Sequence, residues 1–201
     1  EKDPADMTSW KFKIISRTSE KFVQMIFGPM QFRDSFKFND SSVAAMMDSQ
    51  RKVKAKLSDC FPIIVKEHPF TKGLTGDDLE EALDLILRKV PFPYTSLTDQ
   101  SSFNLPPILE KSAYNNELAR EECSDEDFAL VQKVVEAFGM SSFGDYHDLY
   151  LYTDVLGLAD CIESMRKGWF DEFGLDMLHN ITSNSASWQS MLKLSLIHIS
   201  E

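Results

Sequence analysis

The chain has 201 residues, 43% of them hydrophobic, enough to bury a sizeable core in one or two domains. Lys and Arg number 21 against 32 Asp and Glu; the formal charge of −11 excludes a surface that binds nucleic acid through uniform positive charge and confines any such contact to a local patch. No apolar run approaches the ~18 residues that span a bilayer, so no membrane contact is expected. Cys60, Cys123 and Cys161 are too few and too scattered for a disulfide framework or a CxxC metal site, which suits a soluble chain in a reducing, intracellular compartment. Glu1-Lys2-Asp3-Pro4 has no secretory pattern and no opening Met, as expected of a segment of a longer protein.

In chain order, Trp10–Ser16, Lys21–Phe27 and Met30–Phe38 read as three strands, the first two as a hairpin. The third is irregular, because a continuous strand would set Asp34 on one face with Phe32, Phe36 and Phe38. Asn39-Asp40-Ser41-Ser42 offers caps for a helix over Val43–Leu57 whose open side carries Arg51, Lys52, Lys54 and Lys56, either as a solvated face or as a phosphate-tracking patch. Thr75-Gly76-Asp77-Asp78 has a capping-box pattern ahead of Leu79, Leu83, Ile86 and Leu87, with Pro91 as the stop. Four prolines between Pro91 and Pro107 predict a long extended surface connection. Ser124 caps a helix carrying Phe128, Val131, Val134, Val135 and Phe138, ended by Gly139, and a longer helix follows from about Tyr146 to Phe173, before Gly174.

On a helical wheel, that last helix places Tyr152, Val155, Leu156, Leu158, Ala159, Ile162 and Met165 on a broad apolar face, with Thr153, Gly157, Asp160, Ser164 and Lys167 opposite. Asp154 does not join the polar strip; it falls beside Leu158, Cys161 and Met165, with Tyr150 one turn earlier. A carboxylate at the edge of a packed face must be protonated, paired with a base or neutralised by a metal ion, and spacing does not choose among these.

The wording around Asp154 adds a second line of argument. The run from Asp145 to Asp160, with Asp145-Tyr146-His147, Tyr150-Leu151, Asp154-Val155 and Leu158-Ala159-Asp160, resembles the third exonuclease motif of family B DNA polymerases, in the protein-primed organellar, viral and Polinton/Maverick branch. Glu163, Arg166, Leu175-Asp176, Trp188 and Met191-Leu192-Lys193 continue the likeness downstream. Upstream, Gln31–Phe38 resembles the family's strand with an Asp-Ser pair, Arg88–Tyr94 its basic segment ending in Phe-Pro-Tyr, and Ser124–Phe128 one of its helix starts.

The resemblance implies an α/β fold: the C-terminal part of a ribonuclease-H-like exonuclease domain, incomplete, with a mostly helical second half. Residues 1–174 would be the partial exonuclease domain and 175–193 the start of the linker to a polymerase domain, where Trp188, Met191 and Leu192 dock; 194–201 resemble a translated sequencing adapter. The function implied is proofreading by 3′–5′ hydrolysis within a DNA-directed DNA polymerase, the other exonuclease motifs and the polymerase motifs lying elsewhere in the parent, so that this segment alone is inactive. Asp154 would be a metal ligand for one of two Mg²⁺ or Mn²⁺ ions, Tyr150 would orient the attacking water, and Lys89 would assist cleavage. Ser35, Phe36 and Tyr94 would contact DNA, with core packing the alternative for Phe36 and a helix-dipole role the alternative for Lys89, since Val90 stands where the family has glycine. His147 is expected to be structural. The implied partners are a single-stranded 3′ end, primer-template and a terminal priming protein, in the nucleus if a eukaryotic transposon encodes the parent. The competing reading is an acidic helical interaction module in which Asp154 is a salt-bridge partner and no metal takes part.

Overall fold

Phe12–Ser16 (β1), Phe22–Phe27 (β2) and Met30–Arg33 (β3) pair as an antiparallel meander in the order β1-β2-β3; the computed structural model describes residues 11–16, 22–116 and 120–199. Trp10 and Lys21, expected at strand starts, lie outside the described residues. The turn from β2 to β3 uses Gly28 at φ +58, a left-handed conformation that glycine adopts without a Cβ clash. Register aligns Ile14 with Met25 and Phe32, and Phe12 with Phe27 and Met30, so one sheet face is apolar.

β3 stops at Arg33, not at Phe38. Asp34 instead caps a 3-10 turn over Ser35–Lys37, accepting the Phe36 N–H at 3.0 Å. The acid therefore never shares a strand face with the phenylalanines: a side chain that can bond the backbone two residues on ends the strand there.

The chain divides into two units, Val43–Cys161 and a second that joins the described residues up to Ser42 with those from Ile162 on. The second holds β1–β3, the last turns of the long helix α6 and helix α7 (Ser183–Ile199), which runs on past Lys193. Its core is Phe38, Met177 and Ala186, flanked by Met165, Trp169 and Leu178. Arg166 donates twice to Asp176, and Lys193 donates to the Phe173 and Gly174 carbonyls, answering the orphan acceptors at the end of α6.

The first unit is helical: α1 (Val43–Gln50), α2 (Leu57–Cys60), α3 (Pro62–Glu67), α4 (Gly76–Ile86), α5 (Asp125–Ala137) and α6 from Phe143. The class is thus α/β, a small antiparallel sheet with a mostly helical remainder. The single helix expected over Val43–Leu57 breaks at Gln50, and the basic stretch is a loop. Arg51 is drawn to Asp84 (2.6 Å) and the Leu87 carbonyl, while Glu80 accepts the Leu57 and Ser58 N–H groups and starts a new helix. α4 is entered through Gly76 at φ +60, and Thr75 makes no side-chain cap, so the expected capping box does not form. Ser124 does cap α5 by accepting the Asp127 N–H, and Gly139 and Gly174 both take φ +59 beyond their helices.

The Pro91–Pro107 connection is not a free surface strand. Phe92 and Pro93 are buried, and two 3-10 turns, Tyr94–Ser96 and Gln100–Asn104, fold it up. Phe92 packs within 4.6 Å of the Tyr150 ring and 5.7 Å of Phe143, and the Tyr146 hydroxyl donates to the Pro91 carbonyl. Aromatic contacts therefore fasten this segment to α6.

Candidate active site

The face of α6 that packs is the one the wheel assigned to solvent. Thr153, Gly157, Asp160 and Cys161 are buried together with Tyr146 and Leu149, whereas Leu151, Tyr152 and Val155 are exposed. Hydrophobicity misleads here because each polar group inside has a partner. Thr153 donates to the Leu149 carbonyl and faces His68 Nε2 at 3.2 Å; Asp160 accepts the Ile63 and Ile64 N–H groups at 2.9 Å each, capping α3 from another helix. Gly157 lets Met47 approach so closely that an added Cβ would lie 2.8 Å from its Sδ.

That inversion sets the environment of Asp154, half-buried on the flank of this stripe. Burial pushes its carboxyl above the usual carboxylate range, and a hydrogen bond with the Tyr150 hydroxyl opposes the shift. Among the described residues no Lys, Arg or His lies within ion-pair distance of Asp154. The salt-bridge explanation of this acid therefore does not hold within the described residues. The Tyr150 phenol is raised by burial first, then by its hydrogen bond with Tyr94 and by the charge of Asp154. Tyr150 Oη lies 2.7 Å from Tyr94 Oη, across 56 residues of chain.

Asp154, Tyr150, Lys89 and Asp48 line a pocket of about 230 Å³ floored by Met47, Ile86 and Leu149. A larger one, about 530 Å³, shares Lys89, Val90 and Tyr150 and adds Tyr94, Tyr114, Asn115, Glu121 and Glu122. Lys89, Tyr94, Tyr150 and Asp154 are thus brought together. Val90 is a buried core residue, and among the described residues Arg120 alone has a positive φ without being glycine, so the backbone at Val90 requires no glycine. Lys89 lies three residues past the end of α4. Arg88, not Lys89, makes the ion pair with α4, through Asp84 at 2.6 Å.

Ser35 and Phe36 belong to the other unit. Phe36 is 55% exposed, which removes the core-packing alternative. His147 sits beside Asp148 at 3.2 Å and edge-on to Phe103 at 4.9 Å, contacts of a structural residue. Sequence reasoning passed over Tyr114, Asn115, Glu121 and Glu122; the paired amides Asn115-Asn116 and paired acids Glu121-Glu122, joined by a bridge between Asn116 and Glu121, were the available signal.

A divalent ion needs more donors than this. No cluster of three or more His, Cys, Asp or Glu suited to a metal occurs among the described residues. Asp154 suits one hard-oxygen ligand of a shared site, being half-buried, uncompensated by a cation and at the edge of a pocket, but these residues do not hold an ion alone. Comparison with protein-family models, curated proteins and solved structures returned no match to this chain.

Proposed function

We propose that this chain is the closing portion of the 3′–5′ exonuclease region of a protein-primed family B DNA polymerase, with a ribonuclease-H-like fold completed by other parts of the parent. The observation carrying this reading is convergence. Two motifs far apart in the chain, one giving Lys89 and Tyr94 and the other Tyr150 and Asp154, meet around adjoining pockets, with Tyr94 and Tyr150 in hydrogen-bond contact at 2.7 Å. Chance similarity in scattered motifs carries no reason for such meeting.

In the complete enzyme, Mg²⁺ or Mn²⁺ would polarise the scissile phosphodiester and its attacking water. This chain's residues would do the rest. Asp154 supplies one carboxylate ligand, and Tyr150, held by Asp154 and Tyr94, presents its hydroxyl oxygen beside the attacking water. Lys89 offers a positive charge to the phosphate, and Tyr94 bears on the single-stranded 3′ end. Ser35 and the exposed Phe36 ring suit a hydrogen bond and a stacking contact to that strand. Primer-template and a priming protein are the expected partners of the parent.

A binding-only module has one observation in its favour, the exposed apolar side chains Leu151, Tyr152 and Val155 on α6. Asp154→Ala in the complete polymerase separates the two. The nuclease reading expects Mg²⁺-dependent degradation of single-stranded 3′ ends to disappear while nucleotide incorporation continues; unchanged degradation refutes it.

A further inference from the structure

The larger pocket has a chemistry that hydrolysis does not use. Its walls include the Tyr94 ring, 67% exposed, and the buried Tyr114. Asn115 Oδ1 accepts the Cys123 N–H at 2.9 Å, which leaves Nδ2 as the group of this amide that can donate to a ligand. Glu121 is fixed opposite Asn116 by two backbone hydrogen bonds, and Glu121, Glu122 and Lys89 all line the same space. The volume, about 530 Å³, is within the ~300–1,000 Å³ of small-ligand sites.

Aromatic walls with carboxylates would also suit an arginine side chain, but a guanidinium has no acceptor for the Asn115 amide and is repelled by Lys89. A nucleobase satisfies both: its exocyclic amine donates to a glutamate, a ring nitrogen or carbonyl accepts from Asn115 Nδ2, and its π-face stacks on Tyr94. The acids disfavour phosphate, so the base alone enters, the sugar-phosphate remaining at Lys89 and Tyr150. We propose that this cavity is a base pocket for an unpaired nucleotide of the strand being degraded, selective for bases with an exocyclic amine over thymine, whose two carbonyls would face the carboxylates. The inference rests on the proofreading reading for its single-stranded ligand.

The test uses the 201-residue chain in EDTA, so that metal binding and hydrolysis play no part. End-labelled pentamers of dC, dA and dT are titrated by fluorescence anisotropy at low salt, with the Asn115 side-chain amide followed by NMR. The dC and dA strands should bind about fivefold tighter than dT, the factor one added hydrogen bond provides, and should shift the Asn115 amide. Glu121→Gln combined with Glu122→Gln should level the three affinities. Equal affinities in the unaltered chain, a preference that survives the double substitution, no binding of any pentamer, or tighter binding of an arginine-rich pentapeptide each overturns the base pocket. Such results leave the proofreading reading to the Asp154→Ala assay, which reads hydrolysis and not base preference.

Discussion

His68 gives the sharpest quantitative expectation, because it is fully buried and its partners define its tautomer. The Phe70 N–H donates to Nδ1 at 3.2 Å, so in the neutral ring the proton sits on Nε2, facing Thr153 Oγ1 at 3.2 Å; Thr153 in turn donates to the Leu149 carbonyl at 2.7 Å. A second proton would have to go on Nδ1, against an N–H already pointing there. Burial lowers the imidazole from 6.5 to about 4. Since the folded value lies below the unfolded one, the unfolded chain binds more protons between them; this contribution to stability is complete above pH 6.5 and is lost as pH falls toward 4. Linkage puts the loss at about 2 kcal/mol between pH 7 and pH 5 and about 3 kcal/mol in full. Glu80, Asp84 and Asp176, whose carboxyls are held low, add acid sensitivity, and Asp154 and Asp160, held high, oppose it. The assay is therefore a difference: urea unfolding of the unaltered chain and of His68→Asn from pH 7 to pH 5. The variant should be less stable at pH 7 but lose about 2 kcal/mol less over that interval. An NMR titration of His68 in the unaltered chain gives an independent reading. Equal pH slopes in the two proteins, or a His68 midpoint near 6.5, would refute the reasoning.

Two further outcomes concern packing. Asp160→Ala strips the Ile63 and Ile64 N–H groups of their shared acceptor and should lower unfolding free energy by about 1–3 kcal/mol in denaturant titration. Gly157→Leu drives a side chain into Met47 and should cost about 1–3 kcal/mol or more, with part recovered when Met47→Ala is added.

What the sequence determined by itself is local. Ser124 caps its own helix three residues ahead, Gly139 and Gly174 turn at a positive φ that strains any residue with a Cβ, and Tyr150 meets Asp154 because residues four apart share a helical face. The proposed polymerase relationship also rests on residue types at fixed spacing, which need no coordinates. Tertiary structure decided which side of α6 faces inward, because the energy of burying Thr153, Gly157 and Asp160 depends on His68, Met47 and the start of α3, partners 85 to 110 residues distant in the chain. It decided that Asp34 ends a strand, and that Tyr94 reaches Tyr150 because Phe92 is buried beside it. Hydrophobicity patterns score each residue against water; packing scores it against a particular neighbour, and only the folded chain supplies the neighbour.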